Sequence, residues 1–198
     1  MKLIIASNNK GKIREIKEIL GRHFEEVLSM KEAGIDLDVV EDGETFLDNA
    51  RKKAIETLAA VENQDDVAVL ADDSGLEVEA LGGKPGVYSA RFAGNHDDAA
   101  NNAKIFELMK DVPDDKRGAD FACAMVLARK DKPCIEAVGR VYGTILRELR
   151  GENGFGYDPL FYYPEFDGSF AELSAEQKNA VSHRRRALTQ ICEKLDNK

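Results

Sequence analysis

Short apolar runs along the chain predict the strands of a β-sheet. Residues 1–6 (MKLIIA) and 67–71 (VAVLA) are continuous apolar runs, which are typical of strands covered on both faces. Shorter runs predict strands over 26–30 and 160–163, and apolar residues alternate with polar ones over 35–40. The predicted strands are therefore spread along much of the chain.

Apolar residues that recur at helical spacing predict helices between these strands. One helix follows the first strand and should end at Gly21. A second covers 45–61, with Thr45 and Asp48 in the positions of a capping box. A third is expected to begin at the acidic pair 97–98, which we interpret as capping and solvating residues. Strand, loop and helix follow one another, so the chain reads as an α/β protein.

A long β-hairpin is predicted in the second half of the chain. Apolar residues alternate with period two over 121–127 and again over 135–143, on either side of a turn at 130–133. A hairpin makes the sheet mixed rather than purely parallel. The 198 residues suit one core-forming domain over 1–198.

Two adjacent carboxylates, Asp72 and Asp73, follow the apolar run 67–71 directly. We expect the strand to end there, residues 74–75 to turn the chain, and residues 76–81 to form a second strand. Ligands in open α/β sheets bind beyond the carboxyl ends of strands, so the pair is placed for metal or substrate chemistry. Successive side chains on a strand point to opposite faces, so only one of the two should face a ligand.

Composition limits the possible partners. The formal charge of −9 argues against nucleic-acid binding, which depends on clustered Lys and Arg. With 43% hydrophobic and 33% charged residues, and with neither a long apolar run nor a signal-like start, we expect a cytoplasmic protein without a membrane partner. Three widely spaced cysteines lack metal-ligand spacing and are expected to be free thiols: Cys123, Cys134 and Cys192.

Two segments near the start of the chain could meet an anion. The polar, basic loop 7–12 precedes a helix, whose N-terminus offers N–H groups and a positive dipole end. It lacks Walker A spacing, so a phosphate cradle and a capped polar connector both remain open. Lys53 lies at the edge of the apolar stripe of helix 45–61. Its spacing favours a lysine that reaches solvent over one that reaches a bound anion.

Two later segments are equally open to a ligand or a structural role. Loop 152–159 (ENGFGYDP) suits a rigid turn that presents a ring and a carboxylate, or a turn whose rings pack into the core. Lys178 and Arg184 would lie about 120° apart on one unbroken helix. If both serve one ligand, the helix should break near Ser182, which would cap a second helix. The basic run 183–186 could instead be a solvated face.

The motifs together are more specific than any one of them. They are S-N-N-x-x-K, the carboxylate of Glu41, A-D-D-S-G-L, G-V-Y-S-A-R-F, G-F-G-Y-D-P and S-H-R, in that order between Ala6 and about Leu188. In this set and order the chain strongly resembles the inosine triphosphate pyrophosphatase family, also described as XTP/dITP diphosphatases. The resemblance implies an elongated central mixed β-sheet flanked by helices, with the active-site cleft between two lobes.

The resemblance also implies roles for individual residues. The triphosphate-binding residues would be Ser7, Asn8, Asn9, Lys10, Gly11, Lys12 and Lys53. The acidic residues associated with magnesium would be Glu41 and Asp73, of which Asp73 also matches the proton acceptor, while Asp72 looks like a supporting neighbour. The contacts to the rest of the substrate would be Ser74, Phe155, Gly156, Tyr157, Asp158, Lys178, His183 and Arg184.

The implied activity is Mg²⁺-dependent hydrolysis of ITP, dITP and XTP to the monophosphate and pyrophosphate. Mg²⁺ is usually held by one or two carboxylates plus substrate phosphates, which suits Glu41 and Asp73 beside a lysine-bearing loop. The resemblance further suggests a homodimer. Two alternatives remain: a related housekeeping pyrophosphatase for pyrimidine or modified nucleotides, and a nucleotide sensor that binds without catalysis.

Overall fold

A computed structural model describes residues 1–94 and 96–197 of the chain. Over these residues the strands are β1 (Lys2–Ile5), β2 (Glu26–Ser29), β3 (Val67–Val78), β4 (Gly118–Arg129), β5 (Lys132–Ile145), β6 (Phe161–Tyr163) and β7 (Gly168–Ser169). The α-helices are α1 (Lys10–Leu20), α2 (Phe46–Ala59), α3 (Asp98–Met109), α4 (Ala175–Val181) and α5 (His183–Asp196). Short 3₁₀ turns connect several of these elements.

The strands form one mixed sheet in the order β2-β1-β3-β4-β5-β6-β7. β1 runs parallel to both of its neighbours, since Leu3 pairs with Val27 of β2 and with Ala68 of β3. At the other end of the sheet, β6 pairs antiparallel with β5 and with β7. The prediction of a mixed sheet flanked by helices is therefore confirmed.

Helix ends follow the local chemistry of the sequence. Thr45 caps α2 by accepting a hydrogen bond from the amide of Asp48, as the capping-box pattern predicts. Ser174 and Gln177 form the capping box of α4. The final helix does break, and the Ser182 hydroxyl accepts a hydrogen bond from the Arg185 amide at the start of α5. Sequence spacing was right here because each cap bonds within three residues of itself.

The carboxylate pair lies inside a strand and not at its end, so this prediction was wrong. β3 continues from Val67 to Val78 through Asp72 and Asp73. It is β1 that stops, at Ile5, which pairs with Leu70 of β3. The two carboxylates therefore lie just past the carboxyl end of β1, on a strand that runs on beside it. Asp72 is buried and Asp73 is half-buried, so the expected alternation holds.

Gly75 was predicted to turn the chain, but the structure needs it for a different reason. A Cβ at this position would collide with the Ser89 hydroxyl, which accepts a hydrogen bond from the Leu76 amide. Glycine therefore allows β3 to pass close to the 3₁₀ turn Gly86–Arg91. The predicted second strand over 76–81 ends early, since Glu79–Leu81 is a 3₁₀ turn.

Two further expectations were wrong. Residues 35–40 are not a strand, although their side chains alternate between half-buried and exposed. The alternation reflects packing on one side, and the segment joins no ladder of the sheet. Loop 7–12 is also shorter than predicted, because α1 begins at Lys10 with Asn9 as its N-cap. The two-residue strand β7 was too short for any pattern to reveal.

The described chain divides into two compact units, each with its own core. Unit 1 comprises 1–73, 123–139 and the segment from Arg186 onward. Its buried residues include Leu3, Ile5, Leu70, Met125, Leu127 and Ile191. Unit 2 comprises 74–122 and 140–185. Its buried residues include Leu76, Ile105, Phe121, Phe161 and Phe170.

Arg117 is a buried structural residue of unit 2 that the sequence gave no reason to single out. It is 4% exposed. Its guanidinium donates to four backbone carbonyls, those of Met109, Val112, Ile145 and Leu146. A planar donor with several N–H groups can satisfy all four at once, which an ammonium cannot do with the same geometry.

We predict that Arg117→Met lowers the free energy of unfolding by about 2–4 kcal/mol, because it leaves buried carbonyls unpaired. Chemical denaturation monitored by circular dichroism measures the change. Arg147→Met is the matched control, since Arg147 is about half exposed and its bonds to Asp114 and to the Lys110 and Val112 carbonyls are exposed. Equal losses for the two variants would contradict the structural role of Arg117.

Candidate active site

In unit 1, Lys12 neutralises Asp72. Asp72 is 2% exposed, and its Oδ2 accepts a hydrogen bond from Lys12 Nζ at 2.6 Å. Lys12 reaches this partner from the first turn of α1, whose Gly11 and Lys12 amides donate to the Asn9 side chain. The supporting role that the resemblance implied for Asp72 agrees with this contact. It also ties the start of α1 to β3.

Lys53 faces inward and not toward solvent. Its side chain is 17% exposed, and Nζ donates to Glu41 Oε1. Burial alone would lower the pKa of Lys53, but the carboxylates of Asp72, Glu41 and Asp73 outweigh it and raise that pKa. The lysine is therefore charged within a group of three carboxylates. Helical spacing had favoured a Lys53 that reaches solvent, because the spacing of residues does not show which carboxylates lie next to this side chain in the fold.

Asn49 joins the two proposed acidic residues, and sequence analysis missed it. Its Nδ2 donates to Asp73 Oδ2 at 2.8 Å, and its Oδ1 accepts from the Gly43 amide at 2.7 Å. Asn49 is 1% exposed. One buried amide thus holds both Asp73 and the segment that carries Glu41. The available signal was its position one turn before Lys53 on the same face of α2.

The predicted phosphate loop shares a cavity with Glu41 and Lys53. Within unit 1, a cavity of about 270 Å³ is lined by Ser7, Asn8 and Asn9 together with Glu41 and Lys53. Lys10 instead lines a more open surface pocket of about 660 Å³. The cavity therefore groups only part of the predicted triphosphate-binding set with Glu41.

The donor set suits magnesium only with help from a substrate. No group of three or more His, Cys, Asp or Glu side chains that could hold a metal occurs within 1–94 and 96–197. Glu41 and Asp73 are two carboxylates linked through Asn49 and Gly43. Mg²⁺ accepts this kind of incomplete protein shell, because it keeps waters and takes further oxygens from phosphates.

In unit 2, Asp158 organises the aromatic loop. It is 3% exposed, and its Oδ2 accepts hydrogen bonds from the Phe155 amide at 2.8 Å and from Lys178 Nζ. Lys178 Nζ also lies 4.5 Å from the centre of the Phe155 ring. Phe155 itself is 61% exposed. Three predicted nucleobase contacts therefore lie together, with an aromatic face open to solvent and a cation beside it.

The two rings of this loop have different environments. Tyr157 belongs to the core of unit 2, and its hydroxyl donates to the Ser89 carbonyl at 2.7 Å. Burial raises the pKa of Tyr157. The packed-ring alternative is thus correct for Tyr157, while Phe155 is presented to solvent. Two aromatic residues within three positions could not be told apart from sequence alone.

The basic run at the start of α5 also divides. His183 is 8% exposed and stacks on Phe121, with ring centroids 5.2 Å apart. Arg184 is 9% exposed, whereas Arg185 and Arg186 are exposed. The solvated-face alternative therefore holds for the last two arginines only. Ser74, the remaining predicted contact, is half-buried on β3 directly after Asp73.

Curated relatives match nearly the whole chain. It is 50% identical over 197 residues to the dITP/XTP pyrophosphatase of Clostridium perfringens, covering 98% of this chain and 97% of the relative. It is 53% identical over 197 residues to the dITP/XTP pyrophosphatase of Desulforamulus reducens, covering 99% and 96%. These sequence identities are high enough to establish that the chain and the two relatives belong to one family.

Solved structures and a family model agree with these relatives. The Ham1 protein of Staphylococcus aureus superposes with a TM-score of 0.90 at 41% identity, covering 100% of this chain and 99% of that one. A nucleoside-triphosphatase / dITP/XTP pyrophosphatase from Mycobacterium abscessus gives 0.81 at 41% identity, covering 96% and 98%. The model of the Ham1 family matches residues 3–194. The family resemblance read from the motifs is confirmed, and the chain belongs to the Ham1 family.

Proposed function

We propose that this protein hydrolyses deaminated purine nucleoside triphosphates, namely ITP, dITP and XTP, to the monophosphate and pyrophosphate. One observation carries the proposal: the cavity of unit 1 combines the Ser7–Asn9 loop with Glu41 and Lys53, and the charge of Lys53 also interacts with Asp73, which Asn49 holds. The names of the two curated relatives, dITP/XTP pyrophosphatase, support the same substrate class.

In this scheme the triphosphate lies against the start of α1. The positive dipole end of a helix favours phosphate oxygens. Lys12 keeps further N–H donors beyond the one that it gives to Asp72, and Lys53 adds a second positive charge. These charges would stabilise the negative charge that builds on the departing pyrophosphate.

Asp73 would accept the proton of the water that attacks the α-phosphorus. A carboxylate suits this role when another group fixes its orientation, and Asn49 supplies that hydrogen bond. Glu41 and Asp73 would hold Mg²⁺ together with phosphate oxygens. When bound, the ion would supply positive charge to those oxygens and favour ionisation of nearby water.

The nucleobase would be recognised by residues of unit 2. The exposed Phe155 ring offers a stacking face, and Lys178 lies next to it. Hypoxanthine and xanthine carry a keto oxygen at C6 that donors such as His183 and Arg184 can meet, whereas adenine carries an amino group there. A buried unmatched polar group costs about 1–3 kcal/mol, which corresponds to roughly 10- to 100-fold discrimination per contact.

We further propose that the chain works as one domain over 1–198. A homodimer and a cytoplasmic location, without a nucleic-acid or membrane partner, complete the proposal. Within the described ranges, no helix combines the length and the apolar character that crossing a membrane requires.

Substrate preference tests the proposed nucleobase pocket. Pyrophosphate release should be at least about 10-fold more efficient, in kcat/KM, for dITP and XTP than for ATP, because adenine lacks the keto group. A coupled pyrophosphate assay over dITP, XTP, GTP, ATP and dUTP measures this. Excess EDTA should abolish release, and added Mg²⁺ should restore it.

Each alternative gives a different result in that assay. Preferred cleavage of dUTP would favour the housekeeping pyrophosphatase for pyrimidine nucleotides. Nucleotide binding without pyrophosphate release would favour the sensor. Equal efficiency for ATP and dITP would contradict the proposed nucleobase pocket.

The role of Asp73 can be tested separately. Asp73→Asn should lower kcat by about 100-fold or more, since a positioned general base contributes about 10²–10⁴-fold. Thermal unfolding should show a folded protein. Asp66→Asn is the control, because Asp66 is 73% exposed just before β3 and pairs with the amino group of Met1. A kcat for Asp73→Asn close to that of the control would remove Asp73 from its role.

A further inference from the structure

Two side chains of α3 form hydrogen bonds with the backbone of Gly156. Asp98 Oδ2 accepts a hydrogen bond from the Gly156 amide at 2.8 Å. Asn102 Nδ2 donates to the Gly156 carbonyl at 2.9 Å. The two residues are four positions apart and so lie on one face of the helix. Both backbone polar groups of a single glycine are therefore held by one helix within unit 2.

The hydrogen bonds from α3 matter because of the backbone conformation of Gly156. Its φ is +62°, and a Cβ placed there would meet nothing within 4 Å. Glycine is therefore required by the backbone conformation and not by lack of space. Glycine also has more conformational freedom than any other residue, so the conformation of this peptide depends on what holds it. The hydrogen bonds with Asp98 and Asn102 of α3 supply that restraint.

Gly156 lies between the two rings of the aromatic loop. Phe155 precedes it with an exposed ring, and Tyr157 follows with its hydroxyl bound to the Ser89 carbonyl. Tyr157 and Asp158 anchor one side of the loop, and Asp158 also holds the Phe155 amide, so the Gly156 peptide between them is the part of the loop that α3 holds. The direction of the exposed ring therefore depends on Asp98 and Asn102 together with Asp158.

The burial of Asn102 is not explained by a role in capping a helix at the surface. It is 6% exposed, and its Oδ1 has no hydrogen-bond partner among the residues that the structure describes. The bond to Gly156 is thus the contact that orients this amide. Its neighbour Asn101 is 2% exposed but serves a different loop, accepting from the Ala93 amide at 2.7 Å.

We propose that Asp98 and Asn102 are positioning residues that set nucleobase selectivity by fixing the Gly156 peptide and, through it, the Phe155 ring. The inference rests on the proposed function and names a determinant of its specificity. Neither residue needs to touch the substrate. Their effect should fall on discrimination between bases, because the phosphate and acidic groups of unit 1 are unchanged.

The test compares four variants. Asn102→Asp removes the donor to the Gly156 carbonyl, and Asp98→Ala removes the acceptor for its amide. Asp98→Asn keeps an acceptor and is the rescue variant. Asn101→Asp makes the same chemical change as Asn102→Asp at an adjacent buried site on the same helix, and is the matched control.

The ratio of kcat/KM for dITP to that for dATP is the first readout. It should fall about 10- to 100-fold in Asn102→Asp and Asp98→Ala, mainly through a higher KM for dITP. Asp98→Asn and Asn101→Asp should keep the ratio near that of the wild type. Hydrogen exchange of the Gly156 amide is the second readout, and it should be faster in the two disrupting variants only.

The outcomes separate this inference from the function beneath it. Wild-type protein that releases no pyrophosphate from dITP would refute the proposed function, and the inference with it. An active wild type whose disrupting variants keep its dITP-to-dATP ratio would overturn the inference alone. So would a loss shared equally with Asn101→Asp, which would indicate general destabilisation of α3.

Discussion

The burial of Asp72 is the constraint on which the arrangement of unit 1 depends. An ionised carboxylate that is 2% exposed needs a partner, and Lys12 supplies it at 2.6 Å. Loss of one member of a buried pair costs about 3–5 kcal/mol, so the first turn of α1 is held against β3. Charge compensation therefore helps to position the helix start that borders the cavity.

The same device recurs in each unit, next to the residues that we assign to the substrate. In unit 1, Lys53 balances Glu41 and the neighbouring carboxylates. In unit 2, Lys178 pairs with Asp158, whose side chain is 4% exposed. Both lysines are more than four-fifths buried and lie beside groups that could contact an anionic nucleotide. An acidic protein can thus present positive charge locally while its net charge remains −9.

The sequence predicted those features that depend on near neighbours. The caps at Thr45, Ser174 and Ser182 bond within three residues, so their patterns are visible in the chain. The end of a strand depends on its neighbours in the sheet, so the passage of β3 beyond β1 was not visible. Asn49 and Asn102 were missed for the same reason, since their partners lie 24 and 54 positions away. Family motifs identified residue types, while tertiary contacts decided which of them are buried and which are exposed.

The proposed site requires that Lys53 be charged within a group of carboxylates, so the ionisation state of Lys53 tests it most directly. Nuclear magnetic resonance of lysine-labelled protein can follow the Lys53 amine with pH, with Lys53→Arg used to assign the signal. The carboxylates around it raise its pKa above the ordinary value of 10.5, so the Lys53 amine should lose its proton at a higher pH in the folded protein than in the unfolded chain. An amine that loses its proton at a lower pH in the folded protein than in the unfolded chain would contradict the charge balance proposed for the site.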